Sequence, residues 1–162
     1  LNSRLAERIR QQEGLSYGVG SSLSADVIDR DGSWSARAIA APQNIAKVEA
    51  AFLDEIAKAL RDGFTVAEVA AAKSGLLQQR LQGRAQDGSL AGRWLSYLFY
   101  GKTFADSQAF EDKIAALKPE DVLAAMRRHI DPAKLTIIKA GDFAKAAKSA
   151  AAGNNSPRTG SR

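Results

Sequence analysis

Apolar residues recur at Leu1, Leu5 and Ile9, a four-residue step that predicts a short amphipathic helix through about residue 13. Ser3 is placed as its N-cap, and Gly14 stands where a C′ glycine stops a helix. From Leu15 the period changes to two. Leu15, Tyr17, Val19 and Leu23 point one way, and Ser16, Gly18, Gly20 and Ser22 the other, which predicts a strand. Asp26 to Gly32 is polar and ends in Asp31-Gly32. Trp34 to Ala41 then reads as a second strand returning as a hairpin, closed by Pro42.

Helical spacing follows. Ile45, Val48, Phe52, Ile56 and Leu60 predict a long helix stopped at Gly63. Thr65 and Glu68 are spaced as a capping box, with Phe64 and Val69 placed as its hydrophobic staple, so the next helix starts there and runs to about Gln82 or Gly83. Further helices are predicted over about Ser89 to Tyr100 and near Ser107 to Leu117. Pro119, with Glu120 and Asp121 in the first turn, opens a last one that closes on Arg127, Arg128 and His129.

Leu135 to Ala140 (LTIIKA) reads as a short strand of the buried type, ended by Gly141-Asp142. The expected fold class is therefore α+β, an antiparallel sheet with helices packed on one face. Three strands are few for so many helices, so the sheet is expected to be incomplete at its N-terminal side, with strands before Leu1 belonging to it. The domain is expected over 1–147, followed by a flexible tail over 148–162, where Ala, Gly, Asn, Ser and Pro dominate without periodicity.

Composition narrows the chemistry. The 162 residues include no cysteine and one histidine, His129. A catalytic zinc site draws three protein ligands, mostly His or Cys, so no metal ligands are assigned here. Thiolate catalysis is excluded as well. The net charge of +5 suggests a polyanion partner until its location is considered. Lys145, Lys148, Arg158 and Arg162 stand in a tail without acids, which leaves 19 basic and 18 acidic residues in the body. Nucleic acid is not an expected partner. No apolar run approaches the roughly 20 residues of a membrane span. The chain opens on Leu1 and enters a helical pattern at once, as a processed product or an excised fragment does.

The most distinctive stretch is SRLAERIRQQEGLSYGVGSSL, from Ser3 to Leu23. Arg10 lies in the last turns of the first helix and Tyr17 just inside the first strand, and reversal at Gly14 brings the two toward one surface. A guanidinium and a phenol form a donor pair suited to a peptide carbonyl or an oxyanion. A second reading fits the same residues: Tyr17 as a half-buried core tyrosine beside Leu15 and Val19, and Arg10 as a cation complementing a helix C-terminus. His129 at the end of its helix reads as structural. Trp94, Tyr97, Leu98 and Phe99 read as core, with a lesser claim to a domain interface. Gly18-Val19-Gly20 lies within a strand and lacks the lysine and helix start of a phosphate loop. Glu7, Glu13, Glu49 and Glu55 are spaced as solvated helix faces.

The same stretch resembles the signature of the C-terminal domain of pitrilysin/insulinase-type zinc metallopeptidases, the inverzincins, which shows an "SRL…iRe…GLaYsv" pattern. The likeness continues through the hairpin and the Pro-bounded helix, the Gly63-to-Glu68 helix start, Tyr100-Gly101, the Leu117-to-Val122 segment and the closing LTIIKAGD. It covers about Leu1 to Asp142. What it implies is a half-domain of the metallopeptidase fold shared with the mitochondrial processing peptidases. Such a domain is inactive alone and carries no His-x-x-Glu-His motif, and its zinc is expected in a partner domain.

In that family an arginine and a tyrosine seven residues apart bind substrate across the cleft. Arg10 and Tyr17 stand at the matching positions, so the resemblance assigns Arg10 to substrate backbone carbonyls and Tyr17 to the scissile carbonyl. It implies a peptide substrate, a zinc-bearing domain or subunit as partner in a homo- or heterodimer, and a periplasmic or other extracytoplasmic setting. Two alternatives stand beside it. One is a non-catalytic assembly domain of the same fold, like the respiratory-complex core subunits. The other is a helical adaptor with an incidental hairpin, which a sheet of only two strands favours.

Overall fold

A computed structural model describes residues 1–26, 28–29 and 31–144. The described residues divide into two compact units, one formed by residues 1–58 with 131–144 and the other by Ala59–Ile130. The tail expected over 148–162 lies outside the described residues.

In the first unit, helix α1 (Asn2–Ala6) continues as a wide π-helical turn over Glu7–Gln12. The Glu13 N–H accordingly reaches five residues back to the Arg8 carbonyl at 2.9 Å. Ser3 is not the N-cap as expected. Leu1 occupies that position without a side-chain bond, because the helix starts two residues nearer the terminus than a Ser3 cap allows. Gly14 has the positive φ of +60° that the reversal requires. Strands β1 (Ser16–Ala25) and β2 (Gly32–Ala40) then pair antiparallel as a hairpin. At its turn the Asp26 carboxylate accepts the N–H groups of Ile28 and Asp29 at 2.7 and 2.8 Å.

Helix α2 (Ile45–Asp62) follows Pro42, which opens a short 3-10 turn over Pro42–Asn44. The core of this unit is Leu5, Ile9, Leu15, Val48 and Ala51, backed by Val19, Ala36, Ala38 and Ala40 of the hairpin and by Phe52. The sheet alternates as its period demands, with Trp34, Ala36, Ala38 and Ala40 turned inward and Ser33, Ser35, Arg37 and Ile39 outward.

The third strand is a correction. Leu135–Ala140 follows a 3-10 turn (Pro132–Lys134) but joins no ladder, and the described sheet has two strands, β1 and β2. A strand needs a neighbour presenting free N–H and C=O groups at hydrogen-bonding distance. Here β2, α2 and the 135–140 segment instead line an open groove of about 630 Å³, and Ile138 is 86% exposed rather than buried.

The second unit is helical. Helices α3 (Val66–Arg84), α4 (Asp87–Phe99), α5 (Phe104–Ala116) and α6 (Pro119–His129) appear where the periodicity places them, within a few residues. The α3 start is as the spacing predicts. Thr65 Oγ1 accepts the Glu68 N–H at 3.2 Å, and the Glu68 carboxylate accepts the Thr65 N–H at 2.8 Å. Arg127 donates to the Leu60 and Arg61 carbonyls at 2.8 and 2.9 Å, occupying acceptors that the end of a helix leaves open.

One expectation fails in this unit. Trp94, Leu98 and Phe99 are not core. They are 56, 68 and 79% exposed, and Leu95 beside them is 70% exposed, because no element of the unit covers that face of α4. Trp94 and Tyr97 make edge contacts with the Phe104 ring, at 5.7 and 5.5 Å.

Polar groups hold α3 and α5 together. Glu111 of α5 is buried and accepts from Arg80 at 2.8 Å and from Arg84 at 3.2 Å, while Arg80 also donates to Ser107 and lies over the Phe110 ring. The two guanidinium groups, Arg84 foremost, hold the Glu111 carboxyl at about 2 against an ordinary value near 4.5. A depressed folded-state value stabilises the fold fully above about pH 4.5, and that contribution is lost as pH falls through about 2. Acid unfolding followed by far-UV circular dichroism should therefore have a component in that window. Glu111→Gln should abolish it and lower stability near neutral pH by about 2 kcal/mol, measured by urea titration.

Candidate functional site

Arg10 and Tyr17 flank the Gly14 reversal in the first unit, and each is placed by a neighbour that takes the structural work. On the helical side that neighbour is Arg8. It is partly buried and donates to Glu13 at 2.9 Å, to Glu55 at 3.0 Å and to Asp54. Glu13, then Asp54 and Glu55, raise the Arg8 pKa, and Arg8 in turn lowers that of Asp54. Lys58 completes the cluster on α2 with bonds to the same two carboxylates. Glu55 is thus not on a solvated face as its spacing suggests. It is 8% exposed, because the α2 face that meets Arg8 also carries the buried Ala51 and Ile56. Glu13 is likewise tied to Arg8, and Glu49 to Lys139.

Arg10, two residues further along the π-helical turn, is exposed and makes no ion pair or hydrogen bond among the described residues. The structure therefore separates two arginines that the sequence presents alike. One anchors the helix, and the other is left to solvent.

On the strand side the expected alternation breaks at Tyr17. Ser16 pairs with Ala40 and Gly18 with Ile39, so Tyr17 is an extra residue in the ladder, a β-bulge. Ser16, not Tyr17, takes the inward position and is 7% exposed. Tyr17 is 90% exposed, which removes the reading of it as a half-buried core tyrosine. A two-residue period cannot reveal a bulge, since the inserted residue shifts every assignment before it by one.

The chain is returned to this point by two hydrogen bonds from backbone N–H groups. The Leu15 N–H donates to the Ile9 carbonyl at 2.9 Å across Gly14, and the Ser21 N–H donates to Asn2 Oδ1 at 2.8 Å. Helix and strand therefore run back along each other, with Leu5 and Ile9 between them and α2. Outward of β1 the surface is small, with Gly18, Gly20 and Ser22 opposite Ile39, Arg37 and Ser35, and the two serine hydroxyls 3.1 Å apart. Nothing lies within 4 Å of where a side chain at Gly18 or Gly20 would begin. Such a surface admits another backbone closely.

The donor set does not fit a zinc ion. Among the described residues no three His, Cys, Asp or Glu side chains gather as ligands, and His129 stands exposed at the end of α6. No described helix is long and apolar enough to cross a membrane.

Comparison with known proteins agrees with this picture. Residues 1–76 match the family described as the peptidase M16 inactive domain. Zinc proteases of Mycobacterium tuberculosis and Mycobacterium bovis, both described as uncharacterized, are 35% identical over 103 residues, which is 63% of this chain and 23% of theirs. A crystal structure of the peptidase M16 inactive domain from Pseudomonas fluorescens superposes with a TM-score of 0.68 at 25% identity, over 80% of this chain and 30% of that one. These matches support the C-terminal, inactive domain of an M16 zinc peptidase, as the Ser3-to-Leu23 signature implied. The two-stranded sheet taken alone favours a helical adaptor, and the comparisons outweigh it. The chain spans about a quarter of the length of the curated relatives it matches.

Two substitutions test the local architecture. Arg8→Met should cost about 1–2 kcal/mol by leaving Glu55 without its strongest partner, whereas Arg10→Met should stay within about 0.5 kcal/mol of wild type in urea unfolding. Gly14→Ala should destabilise by about 1 kcal/mol through its positive φ alone, since nothing crowds that position. Gly14→Asn should recover part of the loss.

Proposed function

We propose that this chain is the substrate-binding, non-catalytic half of a zinc peptidase, assisting peptide-bond hydrolysis carried out by a zinc-bearing partner domain. The observation that carries the proposal is the pair Arg10 and Tyr17. Both are exposed and without described partners, while their neighbours Arg8 and Ser16 are consumed by structure. Large side chains left in solvent at a helix-to-strand reversal return little stability to the free domain and stay available to a ligand. Binding energy is the natural return.

In this reading the Arg10 guanidinium holds backbone carbonyls of an extended peptide through its forked donors. The Tyr17 phenol donates to the scissile carbonyl, a bond that strengthens as negative charge develops on that oxygen. The small outward surface of β1 gives the peptide backbone room to approach. An extended peptide adding beside a sheet gains main-chain bonds of the same kind that hold the hairpin.

A second reading is an assembly domain of the same fold in which nothing is cleaved. The exposed apolar face of α4, with Leu95, Leu98 and Phe99, favours it, since such a patch marks a contact surface.

Replacement in the assembled protease, this chain together with its zinc-bearing half, separates the two. Tyr17→Phe should lower kcat by about 10²-fold with little change in KM, the signature of a bond made in the transition state. Arg10→Ala should chiefly raise KM. Full turnover in the Arg10→Ala, Tyr17→Phe double variant would leave only the assembly role.

A further inference from the structure

An extra residue in an antiparallel ladder leaves backbone groups without sheet partners and loosens the strand locally. At the Tyr17 bulge those groups converge on one buried oxygen. The Ser16 hydroxyl donates to the Ile39 carbonyl at 2.7 Å, with the Gly18 carbonyl at 2.9 Å, and it accepts the Gly18 N–H at 3.2 Å. A single side chain thus bridges the residue after Tyr17 and the opposite strand. Gly18 itself supplies nothing to hold the bulge, having no side chain and open space about it.

We propose that Ser16 is a positioning residue, whose hydroxyl fixes the bulge and so sets the outward direction of the Tyr17 phenol. The proposal rests on the reading of Tyr17 as a substrate contact. The sequence period assigned Ser16 to the solvent side, but its burial on the inward face, beside Ala40 in the ladder, gives the hydroxyl its local role. An alanine there keeps the strand and the apolar packing while removing the bridge. A threonine keeps the bridge.

The test uses the assembled protease with 3-fluorotyrosine placed at position 17 alone, as wild type, Ser16→Ala and Ser16→Thr. Fluorine NMR reports how uniquely Tyr17 is held, a quantity that a general loss of stability leaves unmoved so long as the fold remains intact by circular dichroism. Peptide hydrolysis by the unlabelled proteins reports the consequence. Ser16→Ala should broaden or split the fluorine line and lower kcat by about tenfold, the equivalent of one hydrogen bond, with KM within about twofold. Ser16→Thr should restore both.

An unchanged line in Ser16→Ala overturns the proposal, because Ser16 then does not hold Tyr17. A changed line with undiminished kcat overturns it too, because the placement then has no consequence. Tyr17→Phe tells the two failures apart. If it loses turnover while Ser16→Ala does not, only the role of Ser16 falls. If it also keeps full turnover, the reading of Tyr17 as a substrate contact has failed.

Discussion

Burial of Leu5 and Ile9, both without solvent exposure, is the constraint on which the presentation of the site depends. Each contributes about 1.5–3 kcal/mol of apolar transfer free energy, and they can be buried only if the helix folds back along β1 against Val48 and Ala51 of α2. That requirement sets the reversal at Gly14, and the reversal sets where Arg10 and Tyr17 stand. The Arg8 cluster with Asp54, Glu55 and Glu13 fixes the helix against α2 from the polar side. Helix, turn and strand therefore behave as one clasp, with the two candidate side chains on the outside of it.

The wide helical turn over Glu7–Gln12 fits this arrangement. An interrupted helical ladder is tolerated where neighbouring contacts over-determine it, and such turns gather at functional sites. Here the contacts are explicit: Ile9 is buried on one side, Arg8 is paired on another, and the Leu15 N–H closes the end. Arg10 is what remains when those demands have been met. On the strand side Ser16 has the comparable position and Tyr17 is the remainder. Structure consumes one residue of each pair and releases the other.

Much of the fold was legible because it depends on local signals. The Thr65–Glu68 box, the Pro119 start, the positive-φ glycines at Gly14 and Gly63, and the Asp26 turn each act within a few residues and were readable as such. What escaped depends on partners far along the chain. LTIIKA has the composition of a strand, yet it needs a neighbouring ladder that the described chain does not supply. Trp94, Leu98 and Phe99 have the composition of a core, yet no element of the helical unit covers them. Glu55 looks solvated until Arg8, 47 residues earlier, is seen beside it. The candidate site divided the same way. Arg10 and Tyr17 were found through resemblance, while the bulge that exposes one and the ion cluster that frees the other are tertiary facts.

The central claim is that Arg10 and Tyr17 grip a peptide backbone presented to a zinc-bearing domain. The most direct measurement is a structure of the assembled protease with its zinc half made inert and a peptide substrate bound. The Tyr17 hydroxyl is expected within hydrogen-bonding distance of the scissile carbonyl and the Arg10 guanidinium on a neighbouring backbone carbonyl, with the Ser16 bulge unchanged. A peptide bound elsewhere, with both side chains still facing solvent, would contradict it.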